Sequence, residues 1–299
     1  MDRQYGCTRF LCAFSLGLAL GACSGGGDDD DDAGSGGAGG GGGAHTPLDP
    51  DAPPVQEGDW YRPTASTTWQ WQLLGEINPD YDVTVYDIDL FDASDSVISD
   101  LQDADRHVIC YFSAGSFEDW RDDAGDFDSD AIGDPLDEWE GENWLDVRAP
   151  NVHQIMLARL DHAVERGCDG VEPDNVDGYA NDTGFNLTYD DQLAFNRWLA
   201  NEAHERGLTV GLKNSGDQVE DLLEYYDFEL NEQCHEYDEC DQLLPFVEAD
   251  KPVWNAEYPG DEDAAGELST TLCPVARSEN IRTLILPDDL DDTWRVSCD

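Results

Sequence analysis

Six stretches of the chain close a short β-rich run with acidic, amide or hydroxyl side chains. They are Tyr86-Asp87-Ile88-Asp89, Tyr111-Phe112-Ser113, Glu172-Pro173-Asp174-Asn175, Lys213-Asn214, Asn231-Glu232-Gln233 and Asn255-Ala256-Glu257-Tyr258. Acids at the ends of buried strands are costly to desolvate, so their collection on one rim points to a site more than to packing. In so acidic a chain one such acid means little; the recurrence carries the argument. Side chains alternate along a strand, so Gly170, Glu172 and Asp174 share one side, as do Phe228, Leu230 and Glu232. Strands two apart in a sheet lie roughly 9–10 Å apart, and converging side chains would bring two carboxyls to about 5–6 Å. That gap suits a retaining glycosidase; the same pair splayed outward would suit an inverting one. With Tyr111, Trp144 and Tyr258 nearby and no His/Cys cluster at zinc spacing, the residues predict a carbohydrate site using neither metal nor cofactor.

The elements that must position these residues are eight predicted strands. They cover Trp69–Leu73, Val83–Ile88, Val108–Phe112, Gly170–Asp174, Thr209–Lys213, Phe228–Glu232, Pro252–Glu257 and Arg282–Leu286. Helical periodicity separates several of them, over Val152–Arg166, Leu193–Arg206, Asp217–Tyr226 and Asp241–Ala249, with Gly167 and Gly207 as helix-ending glycines. Strand–helix alternation requires parallel crossovers, and eight repeats fit one α/β chain closed as a (β/α)8 TIM-type barrel. An open doubly wound sheet is the alternative, but no Gly-rich phosphate turn follows any strand. Residues 113–151 form a long insertion after the third strand, where rim loops of a barrel carry function.

Residues 1–22 read as a lipoprotein-type signal peptide: Arg3 and Arg9, an apolar run from Phe10 to Leu20, then Leu20-Gly21-Ala22-Cys23. Cys23 is the expected lipidation site, anchoring an exported protein at the cell envelope; the alternative is an ordinary secretory signal. Residues 23–59, Gly-rich and carrying Asp28 to Asp32, read as a disordered linker, and 60–299 as the barrel domain. Six cysteines remain, Cys110, Cys168, Cys234, Cys240, Cys273 and Cys298. In an oxidising compartment they suggest three disulfides with fifteen possible connectivities. The short loop and the last two cysteines favour 234–240 and 273–298, leaving 110–168.

The 68 acids against 15 bases, a formal charge of −53, exclude nucleic acid and anionic membrane surfaces as partners and favour a cationic one. The acidity is dispersed, with only two lysines, which resembles a halophilic surface. A monomer is expected.

The runs Tyr86 to Asp92, Val108 to Gly115 and Cys168 to Asp177, with Gly211-Leu212-Lys213-Asn214 and Asn231-Glu232-Gln233-Cys234, resemble glycoside hydrolase family 114 from about Trp69 to Tyr258. That family comprises endo-α-1,4-polygalactosaminidases on a (β/α)8 barrel. The resemblance implies a cationic galactosamine polymer as substrate, with Asp174 as nucleophile and Glu232 as general acid/base. Glu232 is then expected to have a raised pKa so that it starts protonated. Asp87, Asp89, Tyr111, Glu172, Asn175, Asn231, Glu257 and Tyr258 would orient the pair or line the sugar subsites, and Lys213 would hold a carboxylate ionised. Another α-galactoside or α-glucan, or capture of cationic polysaccharide without cleavage, are the alternatives.

Overall fold

The computed structural model describes residues 47–299 apart from Glu138, so the signal segment, Cys23 and the Asp28–Asp32 run lie outside the described residues. In chain order the strands are β1 Trp69–Gln72, β2 Val85–Asp89, β3 His107–Ser113, β4 Ser116–Glu118, β5 Ile132–Pro135, β6 Glu142–Leu145, β7 Gly170–Asp174, β8 Thr209–Lys213, β9 Phe228–Glu232, β10 Val253–Glu257, β11 Arg282–Ile285 and β12 Val296–Ser297. The helices are α1 Asp95–Asp103, α2 Pro150–Arg166, α3 Tyr189–Glu205, α4 Val219–Leu222, α5 Cys234–Tyr237, α6 Leu244–Glu248 and α7 Glu262–Glu279.

All eight expected strands form, and they run parallel in the order β1-β2-β3-β7-β8-β9-β10-β11, curled as a barrel, with β12 antiparallel on β11. Between β1 and β11 the described residues form no backbone ladder. Instead the Trp69 indole donates to the Arg282 carbonyl (2.8 Å), the Trp254 indole to the Thr67 carbonyl (3.2 Å), and Arg295 to the Trp69 carbonyl (3.1 Å). Large aromatics fill the interior there: Trp69 stacks on Trp254 at 5.5 Å, and Phe228 lies 4.4 Å from Trp254. Gly211 makes room for this plug, since a Cβ on it would meet the Phe228 ring at 2.1 Å. The polar side chains at the strand tips therefore sit on a dry aromatic floor.

The outer layer is less regular than periodicity suggested. Of the four expected helices, α2 and α3 form in full, whereas the stretches after β8 and β9 shorten to single turns, α4 and α6, each preceded by a 3-10 turn. Three helices escaped the sequence pattern, the single turn α5 and the longer α1 and α7, although Ser94 and Asp261 cap the last two by accepting from Val97 N and Ala264 N. The insertion after β3 folds as a three-stranded antiparallel sheet, β4-β6-β5.

Residues before 60 were expected to be a free linker, yet from Leu48 onward they lie against the barrel. Asn201 on α3 binds Val55 N and the Pro53 carbonyl, and Tyr225 donates to the Ala52 carbonyl at 2.6 Å. The backbone here finds partners on α3 and on Tyr225 beyond α4, which composition could not reveal. Three disulfides join Cys110 to Cys168, Cys234 to Cys240 and Cys273 to Cys298, the favoured pairing.

Candidate active site

The alternation of β7, β8 and β9 puts Glu172, Asp174, Lys213 and Glu232 on the barrel axis at its C-terminal end. Lys213 is the hub. Its ammonium lies 2.8 Å from Glu172 Oε1, 3.2 Å from Asp174 Oδ2 and 3.4 Å from Glu232 Oε2, and sits 4.6 Å from the centre of the Trp71 ring. Those last two legs, 3.2 and 3.4 Å, cap the Oδ2–Oε2 separation at about 6.6 Å, below nearly all of the inverting range. Glu172 is fully buried, while Asp174 and Glu232 keep 18% and 30% of their side chains open to solvent. Two carboxylates are thus presented at the mouth and one is sealed beneath them.

Hydrogen bonds set the orientation of each. Tyr111 donates to Asp174 Oδ2 at 3.2 Å, and Asn175 N to Asp174 Oδ1 at 2.6 Å. Tyr258 donates to Glu232 Oε1 at 2.6 Å and Asn214 to Glu232 Oε2 at 3.3 Å. The Trp71 indole donates to Glu172 Oε2 at 3.1 Å. Asn175, Asn214 and Gln233, each immediately after one of these strand tips, all take positive φ, at 60, 49 and 63°. Such non-glycine left-handed turns cost energy and cluster where a chain must bend sharply around a site.

The electrostatics follow from burial around one cation. Desolvation drags the Lys213 ammonium down, but Asp174, Glu172 and Glu232 outweigh it and hold its pKa well above normal. Desolvation lifts Glu172 to about 7 despite Lys213. Asp87, fully buried beside Glu172, is pushed well above the ordinary carboxyl range, chiefly by desolvation and then by the charge of Glu172 and a hydrogen bond with it. Burial would raise Glu232 too, but Lys213, Tyr258 and Asn214 reverse the balance, and its pKa lies below the usual value. The sequence expectation of a raised Glu232 is therefore corrected, because Lys213 sits closer to it than a parity argument could place it.

Of the other expected residues, Tyr111, Glu172, Asn175 and Tyr258 join this cluster directly, and Asp87 lies beneath it. Asn231 faces the other side of β9 and acts at one remove, donating to Asn214 Oδ1 at 3.3 Å. Asp89 and Glu257 do not join. Asp89 is captured by Arg121 of the insertion, at 2.7 and 3.1 Å. Glu257 alternates with inward Ala256 and Tyr258, so it points away from the axis and accepts from His235 N at 2.9 Å. Two contributors were missed in the sequence: Trp71, whose place on β1 faced an unknown partner, and Ser116, which binds Asn175 at 3.4 Å and Glu142 at 2.7 Å. Among the described residues, the one His/Cys group close enough for a metal, Cys234, His235 and Cys240, has both sulfurs in a disulfide.

A parallel α/β barrel presenting two carboxylates at its C-terminal mouth, flanked by tyrosines, defines a glycoside hydrolase. The chain belongs to glycoside-hydrolase family GH114, whose family model matches residues 50–299. It is a glycosidase of the endo-polygalactosaminidase family that the motifs suggested. The chain is 42% identical to Aspergillus fumigatus Ega3, solved in complex with galactosamine, with a TM-score of 0.74 over 81% of this chain and 99% of that one. The glycoside hydrolase domain of PelA from Pseudomonas aeruginosa shares the fold at 14% identity, with a TM-score of 0.62 over 78% of this chain and 98% of that one. No curated protein matches the chain.

Proposed function

We propose that the protein is an exported, endo-acting hydrolase of α-1,4-linked galactosamine polymers that works by double displacement. The observation that carries this reading is the Asp174–Lys213–Glu232 bridge, which holds two solvent-reaching carboxylates with Oδ2 and Oε2 no more than about 6.6 Å apart, short of nearly all of the inverting range. Likeness to a protein solved with galactosamine supports the sugar.

Asp174, ordered by Tyr111 and Asn175 N, attacks the anomeric carbon while Glu232 gives its proton to the leaving glycosidic oxygen. A glycosyl ester forms on Asp174. Water then attacks the same carbon, Glu232 removes its proton, and the ester breaks. A Glu232 that readily ionises suits the second step. The first step draws on its protonated form, which places the working range on the acid side of neutrality. The net negative rim and chain attract a polymer carrying free ammonium groups, so binding weakens with salt and with N-acetylation.

Three disulfides in the barrel support export to an oxidising compartment, and the Leu20-Gly21-Ala22-Cys23 run supports a single chain held through a lipid on Cys23. Mass spectrometry of the mature N-terminus tests the anchor; an unmodified Cys23 refutes it. The catalytic test is the release of oligosaccharides from partly de-N-acetylated polygalactosamine. Asp174→Asn and Glu232→Gln should each lose about 10³-fold or more in rate. Intact polymer with the wild type, or near-normal turnover in either variant, overturns the reading. NMR of the first-formed anomer reports retention directly.

A further inference from the structure

The insertion after β3 carries two large apolar side chains that its own fold does not use. Trp120 is 45% exposed and Trp139 58% exposed, on a barrel whose other core tryptophans, Trp69, Trp71 and Trp254, are buried. With the described residues, neither indole makes a ring contact, a cation–π contact or a side-chain hydrogen bond.

Both sit at one tip of the small sheet. Gly141 occupies the turn into β6 with φ of 99°, and a Cβ there would meet the Trp120 ring at 3.2 Å, so the ring lies across the glycine. Trp139 stands two residues earlier, in the same turn, where Glu142 N binds the Trp139 carbonyl at 3.2 Å. The tip is not a loose loop. Leu145 N binds the Gly115 carbonyl at 2.8 Å, Arg121 ties Glu118 to Asp89, and Arg159 ties Asp123 to the Ser113 carbonyl.

This sheet is continuous with the active site. Gly115 packs so tightly on the loop after Asp174 that a Cβ would fall 1.7 Å from the Asn175 carbonyl oxygen. Ser116 Oγ lies 3.4 Å from Asn175 Nδ2. From Ser116 to Trp120 the chain spans at most about 14 Å. Around the two indoles the exposed side chains Asp119, Asp122, Asp137 and Glu140 are all acidic. Residues 116–147 contain one basic residue, Arg121, and it is buried against Asp89 and Glu118.

Exposed aromatic faces among unpaired carboxylates, beside a glycosidase mouth, fit sugar rings that carry ammonium groups: the faces stack on the ring and attract the cation. We propose that Trp120 and Trp139 form a second binding platform for the part of a cationic polysaccharide that extends beyond the catalytic carboxylates. This rests on the galactosamine-polymer reading and adds to it a length requirement: affinity is shared between the bond being cut and a distant stretch of the same chain.

The test measures binding, by calorimetry, of galactosamine oligomers of increasing length to the Glu232→Gln protein, with and without Trp120→Ala and Trp139→Ala. The ratio of dissociation constants should stay near one for the shortest oligomers and climb with length to roughly five- to tenfold per indole. Trp120→Phe and Trp139→Phe should restore part of the loss, and unchanged melting temperatures exclude misfolding. A ratio flat with chain length overturns the platform. Wild-type hydrolysis is scored separately, so intact polymer overturns the substrate assignment, whereas cleavage with a flat ratio overturns the platform alone.

Discussion

Replacing Lys213 by Met removes the one cation shared by three carboxylates while keeping most of the side-chain volume. The ammonium lies 3.2 Å from Asp174 and 3.4 Å from Glu232. At an effective dielectric of about 20, each pair is worth roughly 5 kcal/mol. Glu232 keeps 30% of its side chain in water. Halving the figure for that screening leaves about 2–3 kcal/mol, or roughly two pH units on its ionisation. The basic limb of kcat/KM reports the acid in the free enzyme, so it should move up by about two units in Lys213→Met. The maximal rate should fall, because the Asp174 nucleophile loses the ammonium that fixes its Oδ2 at 3.2 Å. Lys213→Arg retains the charge and should leave the limb within about half a unit. Glu172 would be left buried beside an apolar side chain, so the Lys213→Met, Glu172→Gln double variant serves as the stability control. Initial rates on soluble polymer across pH 3–9 are the assay. A basic limb unmoved in a folded Lys213→Met protein would refute the claim that Lys213 sets the ionisation of Glu232.

Two further consequences concern stability. Glu142, Glu172 and Glu257 are all lifted from 4.5 to about 7, mainly by burial. The folded state thus binds more protons than the unfolded one between these values, and stability falls as pH rises through that window, by up to roughly 3 kcal/mol per group. Denaturant melts at pH 5 and pH 8 should show the higher midpoint at pH 5; an equal or higher midpoint at pH 8 contradicts the burial argument. The Cys110–Cys168 bridge closes a 58-residue separation between β3 and the start of β7. Replacing both cysteines by serine should cost about 4 kcal/mol by loop-closure entropy, read as a lower denaturation midpoint; a midpoint unchanged from the parent counts against it.

Much of the architecture was legible because it rests on local patterns. Alternation in the Gly170–Asp174 and Phe228–Glu232 runs placed Asp174 and Glu232 on one side, and burial of a parallel sheet demanded the β-branched and aromatic runs that marked all eight strands. The same alternation, applied to Asn255-Ala256-Glu257-Tyr258, would have turned Glu257 outward and Tyr258 inward, as found. The helices were harder to read. Packing against the sheet, and not periodicity alone, decided that α4 and α6 stop after a turn while α1 and α7 form.

What the sequence by itself determined is the class of chemistry: carboxylates at the tips of parallel strands, in a chain whose motifs mark a glycosidase. What only the tertiary structure decided is how those carboxylates are coupled. Lys213, Trp71 and Glu172 come from three strands, and Arg121 reaches from a separate sheet to take Asp89 out of the site. Ionisation depends on distances of about 3 Å in a low-dielectric pocket, where energy varies inversely with separation. Periodicity along one strand carries no such distance between strands, so the direction of the Glu232 shift could be settled only once the sheet had curled around Lys213.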